Sequence, residues 1–583
     1  MRENLMKTPN FTANLKPILD ALKPNTEVTC PISGEKRVLT QKEIDVYRKH
    51  LAPPKDYAPV VRMQMLTTQW PGGQWWYNKH AQTGAPIICP VHPASGIKVL
   101  PDKEWFDRDF ADLGREVDMS RPFFDQLIQL RRDVPSSAGR NYKEAENSIA
   151  VVSLGDVNSY FVVLSRSKNT LFSVSALDTE SSAEVYNSSG ITNSYQVVHS
   201  DRIFNAQYIR ESRDCLNSAF LFDCRNCENC FGATNKRNAK YVWFNEQLTQ
   251  SEWEKRRAEV DLGSRSQVTT LLKKFDELVK NAVWPENFNE NCENSTGEYL
   301  TKATNCESVY YADGGARDEF HTSWSLGNCE RNAYASSMSN SQENYLSCDV
   351  VECNKTRYSY LLMRCQNVEY STECYDCENV FGCVGLRRKN FCILNKQYSE
   401  NEYWKKLDEL KCAMLERGEY GEFLPAKMSP AYFPEGGSVR YYLAEPTLFA
   451  KAVNAHTFEA DASGALGEIS NATNVADATK IPDSIDDLDD AWIGKPVFDA
   501  TYNRRFSLFA PEVALYKKLR VAPPTSHHVK RVLDLTHTSN TGVFEKSTCE
   551  TCQKEVTISR NPTYPDRRIL CKACYVAYIE KNG

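Results

Sequence analysis

The sequence predicts a mainly β chain with helices, organised around a central short-period β-solenoid in two related halves with capping helices. A degenerate N-terminal and an intact C-terminal zinc-ribbon-like module flank it. Three observations carry this reading. A cysteine-headed phrase recurs every twelve residues in Cys353-Asn-Lys-Thr-Arg-Tyr358, Cys365-Gln-Asn-Val-Glu-Tyr370 and Cys377-Glu-Asn-Val-Phe381. The stretch Asp223-Cys-Arg-Asn-Cys-Glu-Asn-Cys-Phe-Gly232 returns as Glu373-Cys-Tyr-Asp-Cys-Glu-Asn-Val-Phe-Gly382. Near the C-terminus, Cys549-Glu-Thr-Cys552 and Cys571-Lys-Ala-Cys574 form two Cys-x-x-Cys knuckles.

At 583 residues the chain is too long for one hydrophobic core, so several units are expected. With 70 basic against 76 acidic residues the net charge is -6, which exerts no bulk pull toward nucleic acid or an anionic membrane. The start lacks an apolar signal region and no run reaches the length of a membrane span. A soluble, cytoplasmic protein is expected, or one of a virion assembled in the cytoplasm. Twenty-one cysteines in so long a chain, several in Cys-x-x-Cys pairs, point to thiols and metal in a reducing compartment rather than to disulfides.

Residues 1–140 read as the N-terminal module. Within it Glu43, Tyr47, Pro53-Pro54 and Arg62 resemble Glu512, Tyr516, Pro523-Pro524 and Arg531 near the other end, each stretch a short amphipathic helix stopped by prolines. Extending this alignment sets His80 opposite Cys549 and Thr83 opposite Cys552, with no cysteine opposite Cys571 or Cys574. The first copy therefore reads as a zinc module that has lost its ligands. Cys30, His80, Cys89 and His92 remain as a weaker second ligand set, Cys89-Pro-Val-His92 having a ligand-like spacing.

Residues 141–285 and 286–424 are the two solenoid halves. Twelve residues at about 3.3 Å each make a perimeter of roughly 40 Å, enough for short strands and turns around a thin interior. One rung cannot bury its own face, so rungs must stack. Cysteines suit the narrow interior, and Asn suits turns because it tolerates the left-handed conformation. Phe220, Tyr311, Tyr334, Tyr358 and Tyr370 form an aromatic file. Rung spacing would permit disulfides, but free buried thiols fit the compartment better, and metal binding by Cys224, Cys227 and Cys230 or by Cys374, Cys377, Cys383 and Cys392 is the alternative. Thr249-x-x-Glu252 and Ser399-x-x-Glu402 are capping boxes opening helices that cover each half. Residues 425–498, rich in Ala, Gly and Asp, read as an extended linker. Residues 499–583 carry a helix and the four-cysteine ribbon.

Two knuckles at this separation bring Cys549, Cys552, Cys571 and Cys574 to one ion, and a closed four-thiolate shell suits structural zinc rather than activation of water. No catalytic phrase and no phosphate-binding loop is evident, so the chain reads as a non-enzymatic scaffold or assembly protein with protein partners, self-association being compatible with it. Two other readings stand beside it. Lys530-Arg531, Lys546, Arg560, Arg567-Arg568 and Lys572, near Tyr564 and Tyr575, would serve nucleic-acid binding by the ribbon. Asp313, Asp318, Glu319, His321 and Trp324 would serve a carbohydrate-cleaving site on the rod.

The Glu512-x-x-x-Tyr516 helix with Pro523-Pro524, the Cys549/Cys552/Cys571/Cys574 knuckles ending in Cys574-Tyr575, and the Cys377-Glu-Asn-Val-Phe-Gly-Cys383 repeat followed by Phe391-Cys-Ile-Leu-Asn-Lys-Gln397 resemble an uncharacterised family. It comprises cysteine-rich zinc-ribbon proteins of reduced-genome uncultivated bacteria and some large phages. The resemblance covers most of residues 186–583 and implies fold and metal, but no activity. The sequence departs from the pattern at Asp201 and Asp499, where that family would place cysteine.

Overall fold

The computed structural model describes residues 7–457 and 474–583. It is mixed α/β, with more helix than a mainly β reading implies, and its largest sheets are parallel. A thirteen-stranded sheet runs from Ile149–Val151 to Glu246–Gln247 and is parallel up to its closing hairpin. A seven-stranded parallel sheet begins at Gly297–Thr301, and a four-stranded sheet beside it ends in the hairpin Asn390–Ile393 with Lys396–Gln397.

Register confirms the twelve-residue step: Gln207 pairs with Ala219, Ala219 with Phe231 and Phe231 with Trp243. The finer period is three. Ser200, Ile203, Ala206, Ile209, Ser212, Cys215, Ser218, Leu221, Cys224, Cys227 and Cys230 are all buried. Two residues after each of them the backbone turns into the left-handed region, as at Asn217 (φ 50°), Phe220 (φ 59°), Asp223 (φ 50°) and Asn226 (φ 53°). Small interior residues are thus separated by corners, four to each twelve-residue step. Asn and Asp fill many corners because they tolerate this conformation. Phe220, Tyr311, Tyr334, Tyr358 and Tyr370 also sit at corners; Phe220 packs on Phe275, Tyr358 on Tyr420 and Tyr370 on Phe123, while Tyr311 meets His199 and Tyr299 of the ladders. Each such corner is held by its backbone N–H, as when Asn217 donates to the Phe204 carbonyl one step back at 3.0 Å.

The interior favours Ser and Cys for a common reason. Ser212 Oγ accepts the Cys224 N–H at 3.1 Å and donates to the Arg210 carbonyl at 2.9 Å. Cys353 Sγ accepts the Cys365 N–H at 3.4 Å and donates to the Val351 carbonyl at 3.3 Å. Either side chain therefore fills the column and satisfies a backbone donor of the next step. Every cysteine is a free thiol.

The first ladder starts earlier than the cysteine phrase suggests. Bridges Lys143–Leu154 and Glu146–Val157 extend it to residue 143, in steps of eleven rather than twelve. The second ladder opens with Glu290–Thr301 and then takes longer steps at Thr304–Arg317 and Arg317–Glu330. Both ladders end in a hairpin followed by a capping-box helix, Gln250–Ala258 and Glu400–Glu416, with Thr249 and Ser399 as caps.

Residues 425–457 are more ordered than a linker. The helix Gly437–Tyr442 is buried, and Tyr441 stacks on Trp70 with ring centroids 4.8 Å apart. The acidic run of the linker forms short 3-10 turns at Ile485–Asp487 and Asp490–Trp492. The remainder of the expected linker, 458–473, lies outside the described residues.

The terminal modules are exchanged between the ladders. Arg62 donates to Tyr345 of the second ladder at 3.3 Å, whereas its counterpart Arg531 pairs with Glu184 of the first at 2.7 Å. Within each module the same bond recurs, from Arg62 to the Tyr47 hydroxyl and from Arg531 to the Tyr516 hydroxyl at 3.0 Å. The echoed acidic residues are the anchor points. Glu373 is buried against Arg131 at 2.9 Å and Ser136 at 2.7 Å of the N-terminal module. Asp223 is buried against Arg237 at 3.1 Å and accepts from Tyr575 of the C-terminal module at 2.5 Å.

Candidate metal centre

The C-terminal module begins with the hairpin Phe544–Thr548 and Glu555–Ser559, which pairs Thr548 with Glu555. The tight turn between them is closed by Cys549 N–H to the Lys554 carbonyl and Gln553 N–H to the Cys549 carbonyl, both at 2.9 Å, with Gln553 left-handed at φ 62°. The second knuckle leads from the strand Arg568–Leu570 into the helix Lys572–Asn582, with Cys571 as its N-cap. Glu550 N–H donates to the Ile569 carbonyl at 2.9 Å and locks the two knuckles face to face.

The ligand atoms of Cys549, Cys552, Cys571 and Cys574 all lie within 4.8 Å of one another, and the group could hold a metal ion. Cys552 Sγ and Cys571 Sγ are 3.7 Å apart. A tetrahedral site with metal–sulfur bonds of about 2.3 Å requires sulfur separations of about 3.8 Å, so the donor set fits such an ion. Burial opposes ionisation of Cys549, but backbone N–H groups of Cys552, Cys571 and Thr551 converge on its sulfur and lower its thiol to about 6. Cys574 is pushed up to about 12, chiefly by its hydrogen bond to Cys571, since neighbouring sulfurs cannot all carry charge without a cation between them. Cys549 and Cys571 are buried while Cys552 is exposed, so the group lies at the surface of the module.

The N-terminal copy has the same skeleton without the thiols. Its hairpin pairs Lys79 with Pro86, and the turn is closed by His80 N–H to the Ala85 carbonyl at 2.7 Å and Gly84 N–H to the His80 carbonyl at 3.0 Å. Ala81 N–H donates to the Val99 carbonyl at 2.8 Å, as Glu550 does to Ile569. Pro101 then caps the helix Asp102–Phe106 where Cys571 caps its own, so Glu104 takes the place of Cys574. His80 Nδ1 accepts the N–H groups of Gln82 at 3.1 Å and Thr83 at 3.3 Å, the role of the Cys549 sulfur. Its Nε2 meets Glu104 Oε2 at 3.0 Å. An imidazole–carboxylate pair thus closes the copy. The expected alignment of His80 and Thr83 with Cys549 and Cys552 matches this geometry, but Glu104 escaped it. The signal was Leu100-Pro101-x-x-Glu104, which carries the spacing of Leu570-Cys571-x-x-Cys574.

The second ligand set of Cys30, His80, Cys89 and His92 is not assembled. Both nitrogens of His80 are engaged as described. Cys30 packs with Ala58, Val61 and Phe433, whereas Cys89 packs with Val91, Ile97 and Val99 in a separate cluster. His92 Nδ1 accepts the Ala94 N–H at 3.1 Å and its ring lies against Trp76. Among the described residues the Cys549 group is the single convergence of three or more His, Cys, Asp or Glu ligand atoms, so the interior cysteines of the ladders form no such group either.

Cys30 heads a further copy of the hairpin turn, with its N–H on the Glu35 carbonyl and the Gly34 N–H on its own carbonyl, both at 2.9 Å. Asp499 occupies the matching place in the C-terminal half and accepts from Thr501 at 3.0 Å, Tyr502 at 3.2 Å and His527 at 3.0 Å. A thiol, an imidazole and a carboxylate therefore serve interchangeably as the acceptor at the first knuckle position. Asp201, the other place where a cysteine was expected, lies on the strand Asp201–Phe204 beside Arg202.

The polar group on the rod is dispersed. Glu319 is buried and accepts from Thr322 at 2.7 Å, Ser325 at 2.6 Å and Asn332 at 2.9 Å. His321 stacks on Tyr334 and Trp324 packs against Tyr310 and Tyr441, while Asp313 and Asp318 are exposed. The basic residues of the C-terminal module are largely paired in place: Lys546 with Glu555 at 2.9 Å, Arg560 with Glu545 at 2.8 Å, Arg568 with Glu550 at 3.0 Å and Lys530 with Asp534 at 2.5 Å. Among the described residues no helix is long and apolar enough to cross a membrane.

The chain matches no protein-family model, no curated protein and no solved structure.

Proposed function

We propose that the protein is a zinc-stabilised, non-enzymatic β-solenoid scaffold that docks other proteins on the flank of its ladders that its own modules leave uncovered. The observation that carries this reading is on the strands Asp201–Phe204 and Arg213–Leu216. Phe204 and Leu216 are in register and stand exposed side by side, at 49 % and 37 %. The same flank is stiffened from one step to the next by Arg202 with Asp214 at 2.5 Å and by Asn205 with Asn217 at 2.8 Å. A rigid polar surface carrying one apolar pair suits recognition of a protein partner.

Four clustered thiolates favour zinc, and such a site is structural because its shell is closed. This reading also accommodates the cysteine-rich zinc-ribbon resemblance and a place in the cytoplasm or in a virion assembled there. The test is crosslinking mass spectrometry on the chain purified from its native source, compared with a Phe204→Glu/Leu216→Glu double variant. Crosslinks from a co-purifying protein to residues 201–217 that vanish in the variant are expected. Partners retained unchanged by the variant would refute the docking flank.

Nucleic-acid binding by the C-terminal module is the second reading. The local pairing of Lys546, Arg560 and Arg568 weakens it, because paired cations release fewer counterions on contacting phosphate. Retention of short RNA at low salt with a steep salt dependence would favour it over the scaffold.

A further inference from the structure

A cavity of about 340 Å³ lies where the first steps of the first ladder meet the middle of the second. Its walls are apolar: Val163 and Leu154 from one ladder, Met338 and Leu361 from the other, with Trp70 and Trp324 contributing aromatic faces. Small-molecule sites have this character, a largely apolar hollow with few convergent polar groups.

The polar side chains here are Arg140, Tyr142, Ser337, Ser339 and Asp349, of which Arg140 is the one cation. Arg140 is 8 % exposed, and its one side-chain hydrogen bond runs from Nη1 to the Tyr360 hydroxyl at 2.8 Å. Guanidinium stays charged and carries five N–H donors, so Arg140, which lines the cavity, keeps donors beyond the one given to Tyr360. Burial opposes the Arg140 charge while Tyr360, Asp349 and Glu373 favour it, yet among the described residues no carboxylate is hydrogen-bonded to the guanidinium, so an entering carboxylate can take its remaining donors. Asp349 is the one carboxyl in the lining. Burial pushes it up from its ordinary value although Arg140, Ser337 and Tyr360 pull the other way, and no hydrogen bond joins it to the guanidinium.

We propose that this cavity binds a small apolar monocarboxylate, with the carboxylate on Arg140 and the hydrocarbon or aryl body between Trp70, Trp324 and Leu361. Two parallel N–H bonds to the carboxylate would fix its orientation, and the apolar walls would exclude more heavily charged anions such as phosphate. The inference is independent of the scaffold reading.

Isothermal titration of the full, metal-loaded chain with octanoate, 2-naphthoate, 1-octanol and octylamine tests it. One equivalent of octanoate or 2-naphthoate is expected to bind, and octylamine none. Arg140→Gln should weaken carboxylate binding by at least about tenfold while leaving 1-octanol unchanged. Leu361→Trp should fill the hollow and abolish all binding, which keeps the test decisive if Arg140→Gln fails to fold. The proposal is overturned if neither carboxylate saturates the wild-type chain, if octylamine binds as well as octanoate, or if Leu361→Trp binds octanoate like wild type.

Discussion

His80 Nε2 lies 3.0 Å from Glu104 Oε2, and these two residues stand where the C-terminal module places Cys549 and Cys574. The pair holds together the knuckles that four thiols bring together in the other copy. The chain should accordingly bind one equivalent of zinc by elemental analysis, lost in Cys549→Ser/Cys571→Ser and kept in His80→Ala. Installing Thr83→Cys, Pro101→Cys and Glu104→Cys beside His80 should create a three-cysteine, one-histidine site and raise the content to two. A triple variant that still holds one equivalent would show that the N-terminal skeleton is not equivalent to the C-terminal one.

Glu373 is the link by which the N-terminal module is fastened to the second ladder. Glu373→Ala leaves Arg131 buried without its carboxylate, a loss on the order of 3–5 kcal/mol. Limited proteolysis of this variant should release a fragment from the first 140 residues faster than from wild type, while zinc content stays unchanged. Glu373→Gln, which keeps the shape and one acceptor, should lose less.

Stability should depend on pH through Glu298. Burial pushes its carboxyl up to about 7 from an ordinary 4.5, against the opposing N–H of Phe288. Between those values the folded chain binds a proton that the unfolded chain has released, so stability falls as pH rises from about 4.5 to about 7. Glu298→Gln should remove this slope and stabilise the chain above pH 7 by up to about 3 kcal/mol relative to its effect at pH 4. Equal differences between variant and wild type at pH 4 and pH 8, by chemical denaturation, would contradict the assignment.

Thiol reactivity should divide the cysteines sharply. Cys552 is exposed, Cys292, Cys412 and Cys574 are half-buried, and the others are buried. Brief alkylation of the zinc-loaded chain should modify Cys292 and Cys412 alone, with Cys552 and Cys574 joining after chelation and the interior cysteines only after unfolding, as read by peptide mass spectrometry. Enlarging the interior by Cys227→Leu should cost about 1–3 kcal/mol through overpacking, because the column is filled on every step.

The residues of the four-cysteine group and the twelve-residue step were legible because both are local. A hairpin turn and a helix N-cap each present two thiols at a fixed spacing, and stacking imposes its own repeat on the sequence. The three-residue spacing beneath that repeat was hidden, since Ser, Cys, Ala, Ile and Leu all serve the interior and no single residue type marks it. Steps of eleven at Lys143–Leu154 and of thirteen at Thr304–Arg317 break the twelve-residue count near both ladder starts.

By itself, the sequence determined the local units: knuckles, capping boxes, corner residues and the related ends of the chain, all set by interactions across a few residues. Only the tertiary structure decided that Arg62 reaches the second ladder while Arg531 reaches the first, and that Asp223 and Glu373 anchor opposite modules. Those choices depend on which distant partner best satisfies a buried charge. Such partners are brought together by packing and leave no repeat or spacing in the chain.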